Sequence, residues 1–150
     1  MKCSLAAAAL AAVTASSALA DEVWTDPFGD RLIYSSETGT IAVFQAPHGE
    51  WIYVEALAGN YSDRTGTFTG YWMIPEGDAD EEMFSCASQR SFPGSGPTHY
   101  WGPIEIDFDQ PGFPTALTLR RGFCDDLTGE YAGELTGTWN DTRYHPIVGQ

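Results

Sequence analysis

Apolar and acidic residues alternate through Ile104-Glu105-Ile106-Asp107-Phe108-Asp109, the period of a β-strand with one buried and one wet face. Gln110-Pro111-Gly112-Phe113-Pro114 cannot continue a ladder, and Leu117-Thr118-Leu119-Arg120 alternates again, so the two runs predict a hairpin. Setting Phe108 opposite Leu117 puts Ile106 against Leu119 on the buried face. On the wet face it puts Asp107 against Thr118 and Glu105 against Arg120. A slip by one residue breaks both faces, which leaves this register or one shifted by two.

The rest of the chain reads the same way. Pro27 and Gly29 make Asp21 to Asp30 irregular, with Trp24 and Phe28 as anchors on the body of the fold. Arg31 to Ser35 starts the sheet, Glu37-Thr38-Gly39 fits a short hairpin loop with a left-handed glycine, and Thr40 to Gln45 returns as a strand. Trp51 to Tyr61 and Thr65 to Ile74 predict a further hairpin around Ser62-Asp63-Arg64, curved by Gly59, Gly66 and Gly70. Gly129 to Trp139 reads as a glycine-rich strand and repeats the glycine-aromatic pattern of Gly59 to Trp72, as equivalent hairpins of a repeated meander would. Trp72, Trp101 and Trp139, each near a glycine, are expected in the core. Between the halves, Pro75 to His99 is expected as a long loop tethered by Cys86, with a short strand from Met83 to Ala87. No segment sustains a helical period. The pattern therefore predicts an all-β fold, a small antiparallel meander barrel or sandwich of about seven or eight strands.

Residues 1–20 have the form of a secretory signal: Lys2 as the basic start, Leu5 to Val13 as the apolar run, and Ala18-Leu19-Ala20 as the cleavage site. The apolar run is short for a membrane span and no later stretch approaches that length, so no transmembrane segment is expected. Residues 21–150 are read as a single β domain. That region holds all 21 acidic residues against six arginines and no lysine, a net charge of −15. Such a charge repels nucleic acid and anionic lipid, and attracts cations or a basic protein. It also holds two of the three cysteines, Cys86 and Cys124. In an oxidising compartment these are expected to form one disulfide. A loop of roughly 39 residues closed in this way stabilises by about 4 kcal/mol at most in the chain-entropy description.

Candidate chemistry is sparse. Asp78, Asp80, Glu81 and Glu82 concentrate carboxylate oxygens, the donors a hard cation wants, but the run lacks the later glycine and glutamate of an EF-hand loop. Weak, millimolar calcium binding is the expectation there, and no other cofactor is expected. His48, His99 and His145 have no zinc-protease spacing. Gly94-Ser95-Gly96, flanked by Pro93 and Pro97, lacks the strand-to-helix setting of a nucleophile elbow. Glu105, Asp107 and Asp109 are read as a wet sheet face rather than a site. Asp125-Asp126, at a strand end near the expected disulfide, suits a functional loop and a turn equally. No catalytic residue is assigned.

Cys86, Tyr100-Trp101-Gly102, Phe123-Cys124-Asp125-Asp126, Gly137-Thr138 and Arg143 together resemble a loose group of exported bacterial β-proteins with no assigned activity. The resemblance covers roughly residues 59 to 143. The group's closing Gly-Thr-Arg is here opened into Gly137-Thr138-Trp139-Asn140-Asp141-Thr142-Arg143, and no catalytic residues carry over. Leu135-Thr136-Gly137-Thr138-Trp139-Asn140-Asp141 is similar to the first strand of avidins, and its Gly-x-Trp to the start of lipocalins, displaced here to the opposite end of the chain. These readings predict an acidic, periplasmic or secreted β-domain that binds or stabilises something without catalysis. The alternatives are a lipocalin- or avidin-like carrier of a small apolar ligand and a small carboxylate-dependent hydrolase.

Overall fold

The computed structural model describes residues 22–79 and 84–149; the expected signal, Asp21 and the acidic Asp80, Glu81 and Glu82 lie outside them. The strands are β1 (Val23–Thr25), β2 (Arg31–Thr38), β3 (Ile41–Gln45), β4 (Trp51–Val54), β5 (Thr67–Met73), β6 (Ser85–Cys86), β7 (Arg90–Ser91), β8 (Pro97–Thr98), β9 (Trp101–Phe108), β10 (Leu117–Arg121), β11 (Leu127–Thr128) and β12 (Asn140–Pro146), with a 3-10 turn at Pro47–Gly49 and an α-helical turn, α1 (Ala132–Leu135), before the last strand. Eight of them close into an antiparallel barrel in the order β1-β12-β10-β9-β5-β4-β3-β2. Each barrel strand pairs with the next barrel strand along the chain, and β12 returns to β1, so the barrel is an up-and-down meander. Closure removes every edge that an open sheet of this size would expose.

Of the registers that alternation allows, the hairpin of β9 and β10 has the unshifted one: Phe108 opposite Leu117, Ile106 opposite Leu119, Asp107 opposite Thr118 and Glu105 opposite Arg120. Ile104, Ile106, Leu117 and Leu119 are buried, and join Trp24, Leu32, Phe44, Ile52, Val54, Trp72 and Tyr144 in the interior. Fully burying each aliphatic chain contributes about 1.5–3 kcal/mol. These side chains fill the barrel. Trp24 donates its indole N–H to the Thr115 carbonyl at 2.7 Å and meets Phe113 edge to face, so its one polar atom is satisfied inside the core.

Both barrel ends are plugged. At one, the Arg64 side chain is fully buried, bonded to Glu22 through Nη1 at 2.6 Å and Nη2 at 3.0 Å. Its guanidinium lies over the rings of Phe108, Tyr34 and Tyr61. At the other, Phe84 and Phe123 meet Trp72 edge to face, and Arg121 pairs with Glu50 at 2.7 Å.

Several expectations are corrected. Gly129 to Trp139 is not a strand: Leu127–Thr128 pairs with Ser85–Cys86 in a two-stranded sheet, and the helix formers Ala132, Glu134 and Leu135 make one turn. The Thr136 and Thr138 hydroxyls donate to the carbonyls of Ala132 and Leu135, satisfying its C-terminal end. The last strand begins only at Asn140. Val23–Thr25 is a barrel strand where irregular chain was expected. Trp24 is the anchor and Phe28, 91% exposed, is not. Trp139 is exposed, and Trp101 lies on the outer side of the wall. Of the glycines expected within strands, Gly70 alone is in one, and a Cβ there would overlap the Tyr53 carbonyl across the ladder; Gly59 and Gly66 lie in the β4–β5 loop with positive φ. In the Pro75 to His99 segment β6 lies within the short strand expected from Met83 to Ala87, and the β7–β8 hairpin is an addition to what was expected.

The hairpin with a left-handed Gly39, φ 59°, is as expected, but its turn is Gly39-Thr40, since Glu37 and Thr38 lie within β2 and pair with Ala42 and Ile41. The disulfide Cys86–Cys124 is also as expected, with Cα atoms 6.1 Å apart. It ties the long connection before β9 to the connection after β10, beside the β6–β11 sheet. Among the described residues no helix is long and apolar enough to cross a membrane.

Candidate functional site

Three sequence runs break the alternation: Ile41-Ala42-Val43-Phe44, Trp51-Ile52-Tyr53-Val54 and Tyr71-Trp72-Met73 are apolar at consecutive positions. A strand of that kind is covered on both faces. Here Ala42, Phe44, Ile52, Val54 and Trp72 take the inner face. The outer face carries two rows set by the ladder: Val43, Tyr53, Tyr71 and Pro103 in one, and Gln45, Trp51, Met73 and Trp101 in the other. The result is a second apolar cluster on the outside of the barrel, centred on Val43, Tyr53, Met73 and Phe92.

A flap covers part of it. The β7–β8 hairpin pairs Arg90 with Thr98 and Ser91 with Pro97, and inserts Phe92 onto the wall. The Phe92 ring stacks on Tyr53 at 5.1 Å. The Tyr53 hydroxyl donates to the Pro93 carbonyl at 3.2 Å, and burial raises that phenol's pKa above its ordinary value. The Arg90 guanidinium lies 3.5 Å above the Tyr71 ring. At the flap's base the Thr98 hydroxyl donates to the Ile74 carbonyl at 2.6 Å.

Between the flap tip and the wall runs an open cleft of about 360 Å³. Its floor is Val43, Trp51 and Tyr53, and its sides are Pro75 and the Pro93-Gly94-Ser95 tip. Ser36 and Thr38 complete the rim. Their presence depends on a bulge in β2: Tyr34 pairs with Phe44, yet Ser36 pairs with Val43. Without the extra residue Ser35, Ser36 and Thr38 would share the inner face with Tyr34; the bulge turns both hydroxyls outward. Bulges of this kind re-aim side chains beside functional sites. None of the nine lining residues is charged, in a chain whose net charge is −14.

The other polar clusters have structural partners. Glu105 accepts from Arg120 at 2.8 Å, Asp107 from the Thr67 hydroxyl at 2.6 Å, and Asp109 from Arg143. Hydrogen bonding to Arg143 holds the Asp109 carboxyl below its usual range. The row is thus an outer face laced with arginine and hydroxyl contacts. Glu37 Oε1 accepts from the Tyr34 hydroxyl at 2.7 Å, the Tyr61 hydroxyl at 2.5 Å and the Gly59 amide at 2.9 Å, which lowers its pKa. Burial pushes the Glu50 carboxyl up while Arg121 pulls it back. His99 Nδ1 lies 2.8 Å from Glu76, whose other oxygen accepts the His99 amide.

Of the calcium candidates, Asp78 is exposed, with its amide donating to the Pro75 carbonyl in a turn; the other three lie outside the described residues. Asp126 accepts the Ser88 amide through Oδ2 at 2.8 Å. It also sits within 4.8 Å of the Cys86 and Cys124 sulfurs, but these are bonded to each other and offer no thiolate. The cleft was missed from sequence because its residues come from five separate segments. The detectable signals were the doubly apolar runs and the Ser35-Ser36 pair that interrupts the alternation of β2. Comparison of the chain with protein-family models, with curated proteins and with solved structures finds no match.

Proposed function

We propose that this is an exported, non-catalytic binding domain whose ligand surface is the outer wall of the barrel at the Trp51–Tyr53 cleft. One observation carries the reading: the interior is filled by side chains and plugged at both ends, while an uncharged, aromatic-floored cleft lies outside it. Ligand sites are concave, mostly apolar and furnished with a few placed polar groups, typically about 300–1,000 Å³, and this cleft has that form. The interior carrier of a small apolar ligand is less well supported, since Trp24, Phe44, Trp72 and Tyr144 occupy the space it would need. The hydrolase reading is weakened by the engagement of the β9 carboxylates with arginine and hydroxyl groups. Export is supported by the disulfide, which persists in oxidising compartments, and by the form of residues 1–20.

Saturation-transfer NMR of the purified protein against a library of small neutral fragments tests this. Wall binding predicts hits that disappear in a Trp51→Ala variant of unchanged fold. Hits that survive that substitution would place the ligand elsewhere and overturn the reading.

A further inference from the structure

We infer that the occupant of the cleft is a neutral saccharide, with one pyranose ring stacked on the indole of Trp51; this rests on the wall-binding reading above. Tyr53 is already engaged, its ring against Phe92 and its hydroxyl with the Pro93 carbonyl. The half-buried Trp51 is therefore the aromatic face that the cleft offers. An indole face is electron-rich and attracts positively polarised C–H groups, which line the apolar face of a pyranose.

The rim selects among ligands with an apolar face. Ser36, Thr38 and Ser95 present hydroxyls, each a donor and an acceptor, and so complement the hydroxyl edge of a sugar. A polyproline segment offers carbonyl acceptors alone and would leave the accepting half of the rim unused. An anion would find no arginine in the lining and a net charge of −14 around it. A cation would find no carboxylate in the lining. A lipid chain would bury three hydroxyls against methylenes without a hydrogen bond. The β2 bulge is the device that supplies two of those hydroxyls, since it turns Ser36 and Thr38 onto the face of Val43.

The test is a calorimetric titration of the purified protein with cellotetraose, chitotetraose, maltotetraose and mannotetraose, and, in a separate arm, with a proline decapeptide. At least one saccharide is expected to bind at millimolar concentration or below. Its dissociation constant should rise about tenfold or more in Trp51→Ala, and severalfold in the double variant Ser36→Ala, Thr38→Ala. That double variant alters only exposed hydroxyls and reads the site even if Trp51→Ala fails to fold. Peptide binding that is lost in Trp51→Ala, with no saccharide bound, would overturn the saccharide assignment and leave wall binding standing. Binding of neither probe would overturn the saccharide assignment and leave wall binding to be decided by the fragment hits, whereas saccharide binding indifferent to all three substitutions would overturn both.

Discussion

The indole N–H of Trp72 crosses Gly102, its direct partner on the neighbouring strand, to donate to the Gly122 carbonyl at 2.7 Å. A Cβ on Gly102 would lie 2.6 Å from that nitrogen and would overlap the Gly122 carbonyl oxygen. Gly102→Ala is therefore expected to destabilise the barrel by about 1–3 kcal/mol through overpacking. Urea unfolding followed by tryptophan fluorescence measures it. An unchanged midpoint would mean that the Trp72 ring does not lie across this glycine.

Arg64 closes the opposite end as a buried cation held by Glu22 and three aromatic faces. Arg64→Ala leaves Glu22 without its partner and opens the plug, and should cost about 3 kcal/mol or more. Arg143→Ala removes the exposed pair with Asp109 and should leave the unfolding midpoint nearly unchanged. Equal losses in the two variants would show that Arg64 is not the plug.

Ile106 is fully buried, whereas its neighbour Asp107 faces out and accepts from Thr67. Ile106→Asp buries an unpaired carboxylate and is expected to unfold the domain or cost more than about 3 kcal/mol. Asp107→Asn keeps an acceptor for Thr67 and should be almost silent. Comparable urea midpoints for both would reverse the two faces of β9.

Glu37 carries a pH dependence. Hydrogen bonds from Tyr34, Tyr61 and the Gly59 amide hold its folded pKa below the ordinary value of 4.5. A depressed carboxylate stabilises the fold above its unfolded pKa, and the contribution is lost as pH falls through the folded value. The difference in Tm between the native protein and Glu37→Gln should thus be largest near neutrality and shrink below about pH 4. A difference that grows on acidification would contradict the assignment.

Where one face of a strand is wet, the sequence is readable. Alternation narrowed the β9–β10 register to the observed one or a shift by two, and Gly39 and the two cysteines marked a turn and a cross-link. Reading failed where tertiary partners override local pattern. The β4 and β5 runs look like ordinary buried strands until the flap that covers their outer face is seen. Gly129 to Trp139 has strand-like glycines and aromatics. Yet β11 is taken by Ser85–Cys86 beside the disulfide, and the remaining residues fold into a turn of helix. The cleft was not legible because Ser36, Val43, Trp51 and Ser95 meet only through the β2 bulge, the ladder and the flap, none of which a local period encodes.

The decisive measurement is chemical-shift mapping of the isotope-labelled protein with the tightest-binding saccharide or fragment. Wall binding predicts perturbations at the Trp51 indole and at the amides of Ser36, Thr38, Val43 and Ser95, with Leu32, Ile52 and Leu119 unmoved. Perturbations centred on Leu32, Ile52 and Leu119, with Trp51 silent, would put the ligand inside the barrel and contradict the proposal.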